Sequence, residues 1–321
     1  MKRVGLLFAA LIAVLASAAI LAPRFLGSAT VQEETSFIVP SGSSLSAVAS
    51  KLEAEGLISS ADGFLLRAKL FGSSEPIKAG EFNLTPQMDQ SAILIAFQSG
   101  DVIRRFVTIP EGMPSILVHE RLMAIDLLTG EIDVPPEGSV LPDTYAYERG
   151  QSRAQLVEQM QSAMNRALEE EWAKKGPQAA VSTPREAIIL ASIVEKETGK
   201  PEERSLVAGL YSNRVRTGMR LQADPTIIYP ITKGKPLGRR IRRSEIDAVN
   251  GYNTYTLTGL PKGPITNPGR ESLAAVLNPA QTNALFMVAD GTGGHRFAAT
   301  GEEHEANVAR WYQIRRERGE M

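Results

Sequence analysis

The chain contains no cysteine, which excludes disulfides and thiol catalysis and suits an oxidising compartment. Histidine is nearly as scarce. His119, His295 and His304 make up the whole supply, without an HExxH pattern or other close ligand spacing, so no metal site is expected. A surplus of either charge is also missing: 35 Lys and Arg face 36 Asp and Glu, a formal net charge of −1. A nucleic-acid binder would carry a basic excess, and none is expected as a partner. The one basic cluster, Arg239 to Arg243, reads as a solvated loop and helix start. No Gly-x-Ser-x-Gly elbow or phosphate loop occurs, which argues against a serine hydrolase or an NTPase. Internal repeats and long low-complexity segments are absent too.

One long apolar run is present. Met1-Lys2-Arg3 precedes Val4 to Ala22, a stretch without charge that Pro23-Arg24 closes. As a helix it would reach roughly 28 Å, close to the hydrocarbon thickness of a bilayer. Lys2 and Arg3 favour a cytoplasmic N-terminus and export of the rest. The rival is a cleavable signal peptide, because Ala16-Ser17-Ala18 fits a cleavage site. The run continues past that site to Ala22, which favours an uncleaved anchor over residues 1–26. Residues 27–35 read as a short polar linker.

Two folded units are expected after the linker. Phe37-Ile-Val is a strand candidate. Ser43 or Ser44 caps a helix with Leu45, Val48, Ala49 and Leu52 on one face, ending at Gly56. A second helix carries Phe64, Leu65 and Ala68 and stops near Gly72, and Lys78 to Leu84 reads as a returning strand. This β-α-α-β order over residues 36–100 resembles the LysM glycan-binding module. Residues 102–110 look like a strand that opens a larger mixed unit over 101–321. Helices are expected at about 113–125, 152–174, 184–198, 202–217 and 302–318, with a hairpin from Leu285-Phe-Met-Val to His295-Arg-Phe. The fold class is therefore α+β: a transmembrane helix, a small β-α-α-β unit and a larger mixed α/β domain.

The most informative stretch is Ile188 to Pro201. Ala187 to Ala191 are apolar without a break, and Ile193 and Val194 extend the run past Ser192. A helix apolar on every face is buried rather than superficial. Gly199 and Pro201 supply its stop. Glu195 falls in the last turn, where the negative end of the helix dipole and partial burial both disfavour ionisation. A carboxyl of that kind suits a general acid. Glu197 is the runner-up for the acid.

The other chemistry-bearing segments follow it. Leu221-Gln222-Ala-Asp224-Pro-Thr226 reads as a polar loop in which Pro225 holds Asp224 extended. Asn250 to Thr256 interleaves aromatic rings with amides and hydroxyls, a mix suited to sugars. Gly259 to Gly269 is a loop dense in Pro and Gly.

In this order, "SIVEKET" (192–198), "NRVRTGMRLQADPTIIY" (213–229), "YNTYTLTGLPKGPITNPG" (252–269) and "FMVADGTGGHRF" (286–297) closely resemble the endolytic murein transglycosylases, the YceG-like family. "EGSVLPDTYAY" (137–147), the single anchor and the LysM-like unit extend the likeness over nearly the whole chain. Lys262 departs from the pattern, since the family usually has a second proline there. The resemblance implies that Glu195 is the general acid/base. From their side-chain types, Gln222, Asp224, Thr226, Asn253, Thr254, Tyr255 and Glu197 are candidate substrate-binding residues. It further implies cleavage of the MurNAc–GlcNAc bond inside un-cross-linked peptidoglycan, beside the cell-wall synthases on the periplasmic face of the inner membrane.

Glycoside hydrolases usually use two carboxyls, about 5–9.5 Å apart. Glu195 and Glu197, two residues apart on a helix, point roughly 200° away from each other and do not form that pair. A lytic transglycosylase needs only one, because the substrate's own C6 hydroxyl replaces water and leaves a 1,6-anhydro end. No cofactor is expected, and Asp224 is a candidate for electrostatic support. The alternative function is a non-catalytic glycan-binding scaffold that recruits wall synthases.

Overall fold

The structure, a computed structural model, describes residues 31–320. The expected anchor with its alternative cleavage site, and the first part of the linker, lie outside the described residues. Two compact units emerge. One runs to Arg105 and takes back Tyr147–Gly150; the other comprises Phe106–Ala146 and the chain from Gln151 onward.

In the first unit, β1 (Thr35–Val39), α1 (Leu45–Ala54), α2 (Ala61–Phe71), β2 (Gly80–Leu84) and α3 (Gln90–Ser99) follow in order. Strands β1 and β2 pair antiparallel with Phe37 opposite Phe82, in the expected β-α-α-β sequence. Local polar caps define the helices: Ser44, Ser60 and Asp89 each accept a backbone N–H of the first turn. Phe37, Phe64, Phe82 and Phe97 form a dry core, with Phe97 stacked on Phe37 and edge-on to Phe82. Val31, expected in the linker, is buried in that core, so the folded unit starts earlier than the polar composition suggested.

Apart from the strand-end residues Arg105 and Tyr147, the second unit carries β3 (Arg105–Thr108), α4 (Ser115–Met123), β4 (Thr144–Tyr147), α5 (Arg153–Trp172) and α6 (Pro184–Glu197). A 3-10 turn at Pro201–Glu203 leads into α7 (Arg204–Arg216), α8 (Pro225–Thr232), α9 (Arg243–Ile246) and α10 (Arg270–Leu277). The hairpin β5 (Phe286–Ala289) and β6 (His295–Ala298) precedes α11 (Gly301–Glu317). Strands β3 and β4 pair with each other, as do β5 and β6. The core forms where α6 packs against α7 and α10.

Helix α6 is specified at both ends. Thr183 and Glu186 form a reciprocal capping box with Pro184 at the first helical position. Thr198 is already extended, ahead of Gly199 and Pro201. Between them, Ala187 and Ile189 to Val194 are all buried.

One sequence expectation is corrected. Asp224 is not extended: its φ of −53° and ψ of −39° are helical, and it leads directly into α8. Proline is favourable at the first position of a helix, where its missing N–H has no partner to lose. Here that preference outweighs the steric bias on the preceding residue.

Candidate active site

Ser192 interrupts the apolar run of α6 for a structural reason. Its hydroxyl, fully buried, donates to Ile189 O at 2.7 Å and accepts the Ile265 N–H at 3.1 Å. One turn later on the same face, Glu195 Oε2 accepts the Gly269 N–H at 2.9 Å. The Pro- and Gly-rich loop is thus bonded at two points to the end of α6. The Glu195 side chain is only 5 % exposed, with Arg204 Nη2 3.9 Å from Oε1.

A second carboxyl stands there that no pattern along the chain pairs with Glu195. Glu111 Oε2 lies 3.3 Å from the same Arg204 Nη2. Glu111 sits in a turn closed by Met113 N–H to Pro110 O at 3.2 Å, with Gly112 at a φ of +71°. That turn is clamped to the 265–269 loop. Gly112 N–H donates to Asn267 O at 3.1 Å, and Asn267 Nδ2 donates to Met113 O at 2.9 Å. Asn267 Oδ1 also accepts the Val140 N–H at 3.1 Å, so one buried amide joins three segments distant in sequence. Burial first, then the negative charge of Glu195, push the Glu111 carboxyl above its ordinary range, while Arg204 pulls the other way.

Glu197 faces away from this pair, as the helix period required. Its carboxyl is buried, Oε1 has no hydrogen-bond partner, and Tyr211 donates to it. Burial and the charge of Asp224 raise its pKa to about 7. The Tyr255 hydroxyl donates to Asp224 Oδ1 at 2.6 Å, so Glu197, Asp224 and Tyr255 share one electrostatic neighbourhood.

The remaining candidates divide by exposure. Gln222 and Asp224 are exposed, Gln222 at a positive φ of 51°. Thr226, Asn253 and Thr254 are fully buried. Thr226 and Thr254 join their hydroxyls at 2.8 Å. Asn253 Nδ2 donates to Ile246 O at 2.9 Å and Ala248 O at 2.7 Å. The threonines hold the 221–226 and 250–256 segments together beneath the exposed residues, and Asn253 ties the second segment to 246–248.

Known proteins resemble the chain over most of its length. The model of the YceG-like family matches residues 37–310. The chain belongs to the YceG-like family. It is 27% identical, over 87% of its length and 85% of the relative's, to an endolytic murein transglycosylase of Bacillus subtilis. A Streptococcus pneumoniae protein of the same name is also 27% identical over 84% of this chain, which spans only 57% of that relative. A solved yceG-like protein from Listeria monocytogenes superposes with a TM-score of 0.54 at 26% identity, over 86% of this chain and 99% of that one.

Two grooves of this YceG-like unit flank the α4 start. One, of about 500 Å³, is lined by Glu111, Met113, Leu117, Lys196 and Ile228. The other, of about 440 Å³, carries Tyr229, Tyr252, Asn250 and Lys262. Lys262, the departure from the family pattern, lies 4.9 Å over the Tyr252 ring. The histidines are engaged separately: His119 with Ile132 O at 3.0 Å, His295 Nδ1 with Glu203 at 2.9 Å, and His304 stacked on Phe286. Among the described residues no cluster of His, Asp and Glu could hold a metal ion.

Proposed function

We propose that this chain is an endolytic lytic transglycosylase of peptidoglycan, with Glu195 as general acid/base. The observation that carries the reading is Glu195 itself: a nearly buried carboxyl at the end of a buried helix, held by a loop N–H, in a chain of the YceG-like family. Glu195 gives its proton to the leaving glycosidic oxygen. The C6 hydroxyl of the same muramic acid then closes on C1, leaving a 1,6-anhydro end. Gln222, Asp224 and Tyr255 offer polar groups to the strand, and the tyrosine-lined groove suits sugar faces. The β-α-α-β order of the first unit supports a LysM-like glycan-binding role. Residues 4–22 anchor the chain in the inner membrane with the catalytic unit in the periplasm, where wall synthases supply nascent strands and elongation is terminated.

The test digests purified un-cross-linked strands with wild type, Glu195→Gln and Glu197→Gln. General acid catalysis is worth about 10²–10⁴-fold, so Glu195→Gln should lose at least about a hundredfold in initial rate at an unchanged thermal midpoint. Each new end should weigh one water less than a hydrolysed end. Hydrated, reducing ends as main product would make the chain a hydrolase. A wild type that binds strands without cutting them would leave the scaffold reading.

A further inference from the structure

We propose that Glu111 is a second catalytic carboxyl, the base that takes the proton of the attacking C6 hydroxyl while Glu195 serves the leaving oxygen. This rests on the Glu195 reading above and divides between two residues the roles assigned there to one.

The geometry is specific. Glu195 Oε2 accepts the Gly269 N–H, and Glu111 lies against the same residue: a Cβ added at 269 would fall 2.6 Å from the Glu111 carboxyl carbon. Both carboxyls share Arg204 Nη2, at 3.3 and 3.9 Å. The backbone bonds between Gly112 and Asn267, and between Asn267 and Met113, fix the turn that presents Glu111. The position is therefore built into the fold rather than the chance resting place of a surface side chain.

Access separates the two groups. The Glu195 side chain is 5 % exposed, whereas that of Glu111 is 46 % exposed and lines the groove beside Met113 and Lys196. A sugar in that groove meets Glu111 directly. Burial strengthens Glu111 as a base in the state where Glu195 holds its proton, and Arg204 keeps the ionised form tolerable between turnovers.

The step balances. The bond from C1 to the leaving oxygen breaks with its electron pair on that oxygen, which takes the proton of Glu195. The C6 oxygen forms the new bond to C1, and its proton passes to Glu111. Together the pair holds one proton before and after, and solvent exchange returns it to Glu195. No oxidant, metal or water enters the bond changes.

The experiment uses the full chain in detergent on purified un-cross-linked strands, with Glu111→Gln, Glu111→Ala and Glu195→Gln. Glu111→Gln keeps a carbonyl oxygen for Arg204 but takes no proton. Its initial rate should fall by about 10²–10⁴-fold at an unchanged thermal midpoint. Glu111→Ala should fall as far, and added formate should restore it at least about tenfold with anhydro ends retained, since a small carboxylate replaces the base. A Glu111→Gln rate within about threefold of wild type, beside an inactive Glu195→Gln, overturns the proposal. So does a loss in Glu111→Ala that formate cannot rescue, which would make Glu111 only a support for Arg204. Full activity of Glu195→Gln would instead overturn the proposed function, and the pairing with it.

Discussion

Glu197 offers a direct test of how the fold treats the end of α6. Its pKa is raised from 4.5 to about 7 by burial first and the charge of Asp224 second, against the Tyr211 hydrogen bond and the Arg214 charge. Between those values the native chain holds a proton that the unfolded chain has released. Stability therefore falls as pH rises through that window. The contribution is intact below about pH 4.5, and the full penalty is reached above about pH 7. At about 1.4 kcal/mol per pH unit, a window of about 2.5 pH units amounts to at most about 3.5 kcal/mol, of which about 2.5 kcal/mol falls between pH 5 and pH 8. Glu197→Gln cannot ionise and so lacks this slope. Whatever constant offset the amide brings cancels when the comparison is made across pH. Thermal midpoints of both proteins should be measured from pH 5 to pH 8. For a domain of this size each kcal/mol moves the midpoint by about 2–4 °C, so the variant should gain roughly 5–10 °C on wild type over that range. Parallel curves would show that Glu197 does not titrate in the window and would refute the argument.

Two further outcomes are expected. If residues 4–22 anchor the chain, it stays with the membrane fraction after an alkaline wash; a soluble periplasmic form beginning near residue 19 would show that the segment is cleaved. In the first unit, Glu81 is 3 % exposed between Arg105 and Arg149, each 2.8 Å away. Against burial, which raises it, hydrogen bonds from Arg105, Arg149 and Ser36 hold its pKa down at about 2. Glu81→Gln should cost that unit about 3 kcal/mol, the lower end for a broken buried pair because both arginines are partly exposed. A denaturant midpoint equal to wild type at pH 7 would contradict this.

What could be read in the sequence was whatever local chemistry decides. Helix α6 was legible because its apolar run from Ala187 to Val194 is closed by Gly199 and Pro201, and the structure adds the Thr183–Glu186 cap at its start. The hairpin was legible from the glycine-rich turn at 290–294 between Leu285-Phe-Met-Val and His295-Arg-Phe, and α11 from its charged amphipathic pattern. Helix α8 was not, because Pro225 reads equally well as a breaker and as a first helical residue. The structure takes the second, with α8 packed against α6. Thr226, Asn253 and Thr254 show the same limit for side chains. Their type suits a sugar hydroxyl, but type carries no direction, and all three turn inward to bond the chain.

Glu111 marks where reading along the chain ends. Nothing near residues 110–113 points to Glu195, because the register is set by Asn267, which bonds that turn, the 265–269 loop and Val140 at once. Such a three-way junction depends on backbone groups that every residue possesses, so it leaves no compositional trace. The helix period did foretell that Glu195 and Glu197 diverge. It could not say that one side would be closed over by Tyr211 and the other held by the 265–269 loop beside the groove that Glu111 lines. That asymmetry gives two carboxyls two residues apart different environments. It also leaves the position opposite Glu195 to be filled by a carboxyl from a distant turn.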